Sequence, residues 1–189
     1  MTDNEAQARY TRVAIALHWA IAALIVFNLA LGFFMEGFQP ALRGIIVPLH
    51  ISSGLTVLIL TVLRVLWRLT HRPPPLAADL SAWERISAHA VHLFFYGMMV
   101  LMPLSGWAII SAHPPKPVVA MIWGVLPWPQ ISMISHLAPS VQQSAHGNFV
   151  EIHSVLGWIT LGLLALHVAG ALKHQFLDRH AELARMGVG

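Results

Sequence analysis

Residues Glu151–His174 read EIHSVLGWITLGLLALHVAGALKH. The stretch has the length and apolarity of a membrane-crossing helix, yet it contains three histidines: His153, His167 and His174. A transmembrane helix needs about 20 apolar residues, and an ionisable side chain inside one is costly enough to demand a function. His153 and His167 are 14 residues apart. At 1.5 Å and 100° per residue this step covers about 21 Å and ends about 40° short of four full turns, so both side chains leave one helix face. A hydrocarbon layer of about 30 Å holds two sites at that separation.

The rest of the chain has the same character. Of 189 residues, 57% are apolar and only 10% are charged, whereas a soluble domain carries about 25% charge. An integral membrane protein follows. Cysteine is absent, which excludes disulfides, thiolate iron–sulfur clusters, thioether-attached haem and cysteine nucleophiles. The net charge of +3 reports membrane topology here and gives no reason to expect a nucleic-acid partner. The first apolar run has no small-residue cleavage site and is expected to stay in the mature protein.

Four segments are long and apolar enough to span, at about 13–34, 49–69, 88–111 and 152–173. The expected fold is all-α: one transmembrane four-helix bundle over residues 1–189, with Pro103 bending the third helix. The residues EGFQPALRGIIVP form a short first connection, and the proline run of HRPPPLAADL stops helix two. A long loop, about 112–150, joins helices three and four. Its apolar run VVAMIWGVLPWP is too short to span and reads as an interfacial segment. Four spans place both termini on one side. Arg9, Arg12, Arg64, Arg68, Arg72, Arg85, Lys173, Arg179 and Arg185 share it, against Arg43 and Lys116 on the other. The positive-inside rule makes that side cytoplasmic and the long loop outer.

Alternating helix direction then sorts the histidines by depth. His50 and His153 open helices two and four at the outer side. His18 and His167 lie towards the cytoplasmic side, with His89 and His92 at the start of helix three and His174 one heptad beyond His167. His71 and His180 fall in cytoplasmic segments, and His113, His136 and His146 in the outer loop. Each side therefore has a pair from different helices, His50 with His153 and His18 with His167. Paired neutral imidazoles in a dry bundle suit the two axial positions of haem iron, where coordination offsets the burial of each ring. A zinc or proton-coupled transporter would also use intramembrane histidines, but beside carboxylates, and no Asp or Glu lies inside any span. Gly54 and Gly157 each follow a ligand by four residues. They fit either clearance for a flat macrocycle or close helix packing.

These motifs resemble the bacterial cytochrome b561 family, relatives of the b-type cytochrome subunits of Ni,Fe-hydrogenases and formate dehydrogenases. The matching features run in family order through the chain. They are ALHW around His18, LHISSG around His50 with the later RVLWRL, AVHLFFYGMMVLMPLSGW, and the opening stretch itself. The resemblance implies two b haems in a bacterial inner-membrane cytochrome, passing electrons between an outer-face donor and membrane ubiquinone. Small members of the family resemble superoxide oxidases. That scheme favours a cationic outer face, and this chain offers only Arg43 and Lys116 there, with protonated His113, His136 and His146. His92 then fits a quinone or haem-propionate contact, or a hydrogen bond within the bundle. His174 fits a quinone contact or an interfacial position. Arg12, Arg68, Arg72 and Lys173 stand at propionate level, where topology alone also puts them. Two electron-transfer roles are consistent with this: a stand-alone quinone-reducing oxidoreductase, or an anchor relaying electrons for a catalytic partner subunit.

Overall fold

The computed structural model describes residues 9–75, 81–114, 118–178 and 182–187. Lys116, Arg179 and His180 lie outside the described residues. Four long helices dominate: α1 (Arg12–Phe34), α2 (Pro40–Thr70), α3 (Ala82–Ser111) and α5 (Pro139–Leu172). All four are long and apolar enough to cross a membrane. Between α3 and α5 lie two short strands, β1 (Ala120–Ile122) and β2 (Leu126–Trp128), and the single turn α4 (Ser132–Ser135). After α5 the chain widens into a π turn, Lys173–Leu177, and ends in α6 (Glu182–Arg185).

Local chemistry sets the helix ends. Thr11 caps α1 by accepting from the Ala14 N–H at 3.3 Å. Pro40 and Pro139 start α2 and α5 in the first turn, where a missing N–H costs no intrahelical bond. Ser81 and Glu84 form a capping box on α3. α2 stops at His71, two residues before the proline run 73–75.

Three helices extend beyond the apolar segments. α2 begins nine residues before 49 and accommodates Pro48 in its interior; α3 begins six residues before 88; α5 begins 13 before 152. The first connection and the last part of the long loop are therefore helical. Hydropathy marks where lipid ends, whereas a helix continues until its backbone meets a stop signal. At 1.5 Å per residue the 34 residues of α5 run about 51 Å, well past a hydrocarbon layer of about 30 Å.

The interfacial run is a β-hairpin, with Ala120 opposite Trp128 and Ile122 opposite Leu126. Its turn holds Trp123 and Gly124 at φ 52° and 72°. Such a conformation strains a side chain as large as tryptophan. Two bonds from α2 hold it there: the Trp123 N–H donates to Ser52 Oγ at 3.0 Å, and its indole N–H to Thr56 Oγ1 at 3.1 Å.

The bundle alternates up and down. At one end the indole of Trp67 (α2) donates to Thr11 Oγ1 at 2.9 Å, and that of Trp19 (α1) to the Met186 carbonyl at 3.0 Å. Lys173 reaches Glu84 of α3 at 2.7 Å at the same end. We call this the termini end, and the opposite one, carrying the hairpin, the loop end. α1 packs on α2, α2 on α3 and α3 on α5, while α1 and α5 touch far less. Ile21, Val57 and Met99 form the buried core between α1, α2 and α3. Large apolar side chains such as Val26, Phe27, Leu63 and Leu166 are exposed outside it, as a lipid-facing surface requires.

Candidate metal centres

α5 presents His153 and His167 to the bundle, and each meets a histidine from another helix. At the loop end the ring centres of His153 and His50 (α2) are 6.0 Å apart. At the termini end those of His167 and His18 (α1) are 6.3 Å apart. All four rings are half-buried. A metal–imidazole bond is about 2.0–2.1 Å and the nitrogen lies about 1.1 Å from the ring centre, so two rings on opposite sides of one metal have centres about 6 Å apart. Both pairs have that spacing.

The neighbours of the loop-end pair fix each ring. Nδ1 of His50 donates to the Asn28 carbonyl at 3.2 Å. The Asn28 side-chain oxygen accepts from Ser53 Oγ at 2.6 Å, which ties α1 to α2 beside the ring. Nδ1 of His153 lies 2.8 Å from Ser105 Oγ, and that hydroxyl donates to the Met102 carbonyl at 2.8 Å. Both networks assign the proton to Nδ1 and leave Nε2 as the lone-pair nitrogen, the arrangement a metal-binding imidazole uses.

The glycines that abut the rings themselves are distinct from Gly54 and Gly157. A Cβ on Gly54 would stand 3.1 Å from the Asn28 amide, and one on Gly157 would meet only Phe33, at 3.9 Å. Gly32 of α1 and Gly106 of α3 abut the two histidine rings: a Cβ there would lie 3.1 Å from Cε1 of His50 and 3.3 Å from Cε1 of His153. Each ring is thus seated against the backbone of a neighbouring helix. Asn28, Gly32, Ser105 and Gly106 were missed in the sequence. The signal open to a reader was Asn28, a lone amide within an apolar run.

His92 joins the termini-end group. Its ring centre is 5.6 Å from that of His167, and Phe95 lies 5.3 Å from His167 on another side. His174 is bound to Asp178, whose Oδ2 lies 2.7 Å from its Nδ1. Lys173 is committed to Glu84 and Asp178, both at 2.7 Å. Arg64 and Arg68 converge on Tyr96, with guanidinium carbons 6.0 and 5.9 Å from the ring centre. His89, bonded to the Arg85 carbonyl at 2.7 Å, is exposed. Trp19, Trp67 and Trp107 each donate to a backbone or hydroxyl oxygen, and Trp158 packs on Phe33.

A match to the family described as prokaryotic cytochrome b561 covers residues 9–189. The chain belongs to the prokaryotic cytochrome b561 family. Among similar proteins, cytochrome b561 homolog 2 of Escherichia coli (strain K12) is 29% identical over 98% of this chain and 95% of its own length. A probable superoxide oxidase CybB of Yersinia pestis is 24% identical over 94% of this chain and 95% of its own. Cytochrome b562 of Cereibacter sphaeroides is 45% identical over 62 residues, 30% of this chain and 39% of that protein. The cytochrome b561 family comprises membrane electron-transfer proteins that bind b-type haem. The cross-helix imidazoles, with Nδ1 satisfied in the loop-end pair, are a donor set that fits haem iron.

Proposed function

We propose that the chain holds two b haems, one between His50 and His153 and one between His18 and His167. It carries electrons between a donor at the loop end and ubiquinone at the termini end. The observation that supports this best is the near-equal spacing of the two pairs, 6.0 and 6.3 Å, on a helix whose contributing residues are 14 apart. His92, at 5.6 Å from His167, is closer than an opposed ligand should be, which favours His18 as the partner. We assign His92 and His174 to quinone or propionate contact. The excess of Arg and Lys at the termini end makes that end cytoplasmic in a bacterial inner membrane, with the donor, superoxide among the candidates, outside.

The protein's part is to hold and insulate. Bound haem iron would supply one-electron redox chemistry. Asn28 and Ser105 keep the loop-end imidazoles in the tautomer whose Nε2 is available. Gly32 and Gly106 give those rings room against α1 and α3. Apolar helix faces keep water from the bundle interior and so help set the potentials. An anchor that relays electrons for a separate catalytic subunit is the second reading. It is favoured by the sparse positive charge at the loop end.

Haem quantitation with a reduced-minus-oxidised spectrum tests the assignment. Two b haems per chain are expected. His153→Ala should lose only one of them, and His167→Ala only the other. His18→Ala should match His167→Ala, while His92→Ala keeps both. Loss of a haem from His92→Ala with retention in His18→Ala would reassign the termini-end ligand. Purified chain given superoxide and a soluble quinone separates the two functional readings: quinone reduction by the chain alone supports the oxidoreductase.

A further inference from the structure

A third histidine pair stands outside the two already described. His113 follows α3 directly, after the fully buried Ala112, and is exposed; His146 lies two turns into α5 and is half-buried. Their ring centres are 5.3 Å apart at 80°. We propose that His113 and His146 form a binding site for a divalent transition-metal cation of the zinc class at the loop end of the bundle.

The spacing distinguishes this pair from the others. Two imidazoles on one tetrahedral metal, each with its ring centre about 3.1 Å from the ion, have centres about 5 Å apart, against about 6 Å when opposed across it. The 5.3 Å of His113 and His146 matches the tetrahedral case, and the 6.0 and 6.3 Å of the bundle pairs match the opposed case. His146 is also prepared as a ligand. Its Nδ1 donates to the Ile109 carbonyl at 3.2 Å, which leaves Nε2 as the lone-pair nitrogen and fixes the ring.

The surroundings suit a water-accessible ion. His146 is seven residues before His153, about 10 Å further along α5, on the part of the helix that continues past the apolar span. One turn earlier on the same face, Gln142 is only 5% exposed, and its side-chain nitrogen has no hydrogen-bond partner among the described residues. A buried polar group in that state is commonly satisfied by an ordered water. Two neutral imidazoles with water completing the shell select zinc, copper or nickel over magnesium or calcium. Among the described residues, the grouping of Glu84, His174 and Asp178 already holds the Lys173 ammonium between its carboxylates.

The test is a zinc titration of the haem-loaded full chain, without a polyhistidine tag, against a chromophoric competing chelator. Wild type should bind one more zinc ion than His113→Ala or His146→Ala, or bind that ion at least about tenfold more tightly. The double variant should be no worse than either single one, because the ligands share one ion. His136→Ala, which alters another exposed histidine of the segment between α3 and α5, bonded to Ser132, should titrate as wild type, and haem absorbance should be unchanged in His113→Ala. His113 is exposed, so its variant carries the test even where His146→Ala disturbs α5. Zinc stoichiometry and affinity in His113→Ala equal to wild type overturn the proposal.

Discussion

Ser105 Oγ stands 2.8 Å from Nδ1 of His153, across the α3–α5 interface. Its own hydrogen is given to the Met102 carbonyl at 2.8 Å, so the oxygen is left to accept the ring proton. Ser105→Ala removes that acceptor and strands a half-buried N–H, at a cost of about 1–3 kcal/mol. With haem held as proposed, it would also make the imidazole a poorer donor to iron, which disfavours the ferric state. The midpoint potential of the loop-end haem should therefore rise while the other is unchanged, and Ser105→Thr should restore it. Spectroelectrochemical titration of the three proteins reads both potentials; equal shifts at the two haems would mean a global rather than a local effect.

Gly32 and Gly106 serve the same site sterically. A methyl group on Gly32 would come within 3.1 Å of the His50 ring, and one on Gly106 within 3.3 Å of His153. The rings must then move by a few tenths of an ångström, and iron ligation tolerates such displacement poorly. Gly32→Ala and Gly106→Ala should each weaken or abolish loop-end haem binding and spare the termini end. Gly97→Ala is the control, since nothing lies within 4 Å of a Cβ there. Haem content per chain decides it, and the larger loss is expected for Gly32→Ala, the tighter position.

These two cases explain what the sequence could and could not reveal. The spans are legible because lipid demands about 20 apolar residues, and α1 at Arg12–Phe34 departs from expectation by a single residue. The meeting of His153 and His167 with histidines of other helices is legible because 14 residues return a helix to one face and chain direction alternates. The helical extensions at 40–48 and 139–151 are not legible from hydropathy, since they are amphiphilic, contain Pro48 or start at Pro139, and leave the lipid. The supports of the rings are hidden for a different reason. Ser105 and Gly106 touch a histidine on α5, and Asn28 and Gly32 one on α2, so their roles arise from helix packing. Gly54 and Gly157, four residues after His50 and His153 on their own helices, face Asn28 and Phe33.

The proposed orientation can be tested on an unusually clean background, because the chain has no cysteine. Met133 of α4 is 87% exposed at the loop end, and Arg9 is exposed at the termini end. Single cysteines at these positions should react oppositely with a membrane-impermeant maleimide. Met133→Cys should label in intact cells, and Arg9→Cys only after the membrane is opened. The reverse pattern would invert the topology and with it the side of the donor.

Asp178 is the ionic clasp of the termini end. Its carboxylate takes Lys173 Nζ at 2.7 Å and His174 Nδ1 at 2.7 Å, while the same Lys173 holds Glu84 at the start of α3. The hydrogen bond from Lys173, foremost, holds the Asp178 carboxyl below its ordinary value of 3.8. A carboxylate depressed in the folded state stabilises it above the ordinary value, and that contribution is lost as the pH falls through the folded one. Asp178→Asn should therefore lower the thermal midpoint slightly at neutral pH, and the gap to wild type should close below about pH 4. The effect is small because the Lys173 and Asp178 side chains are 40% and 28% exposed, and added salt should shrink it further. Unfolding curves of the two proteins from neutral to acid pH, at low and high salt, provide the check. A gap that persists into acid and ignores salt would assign Asp178 a packing role in place of an electrostatic one.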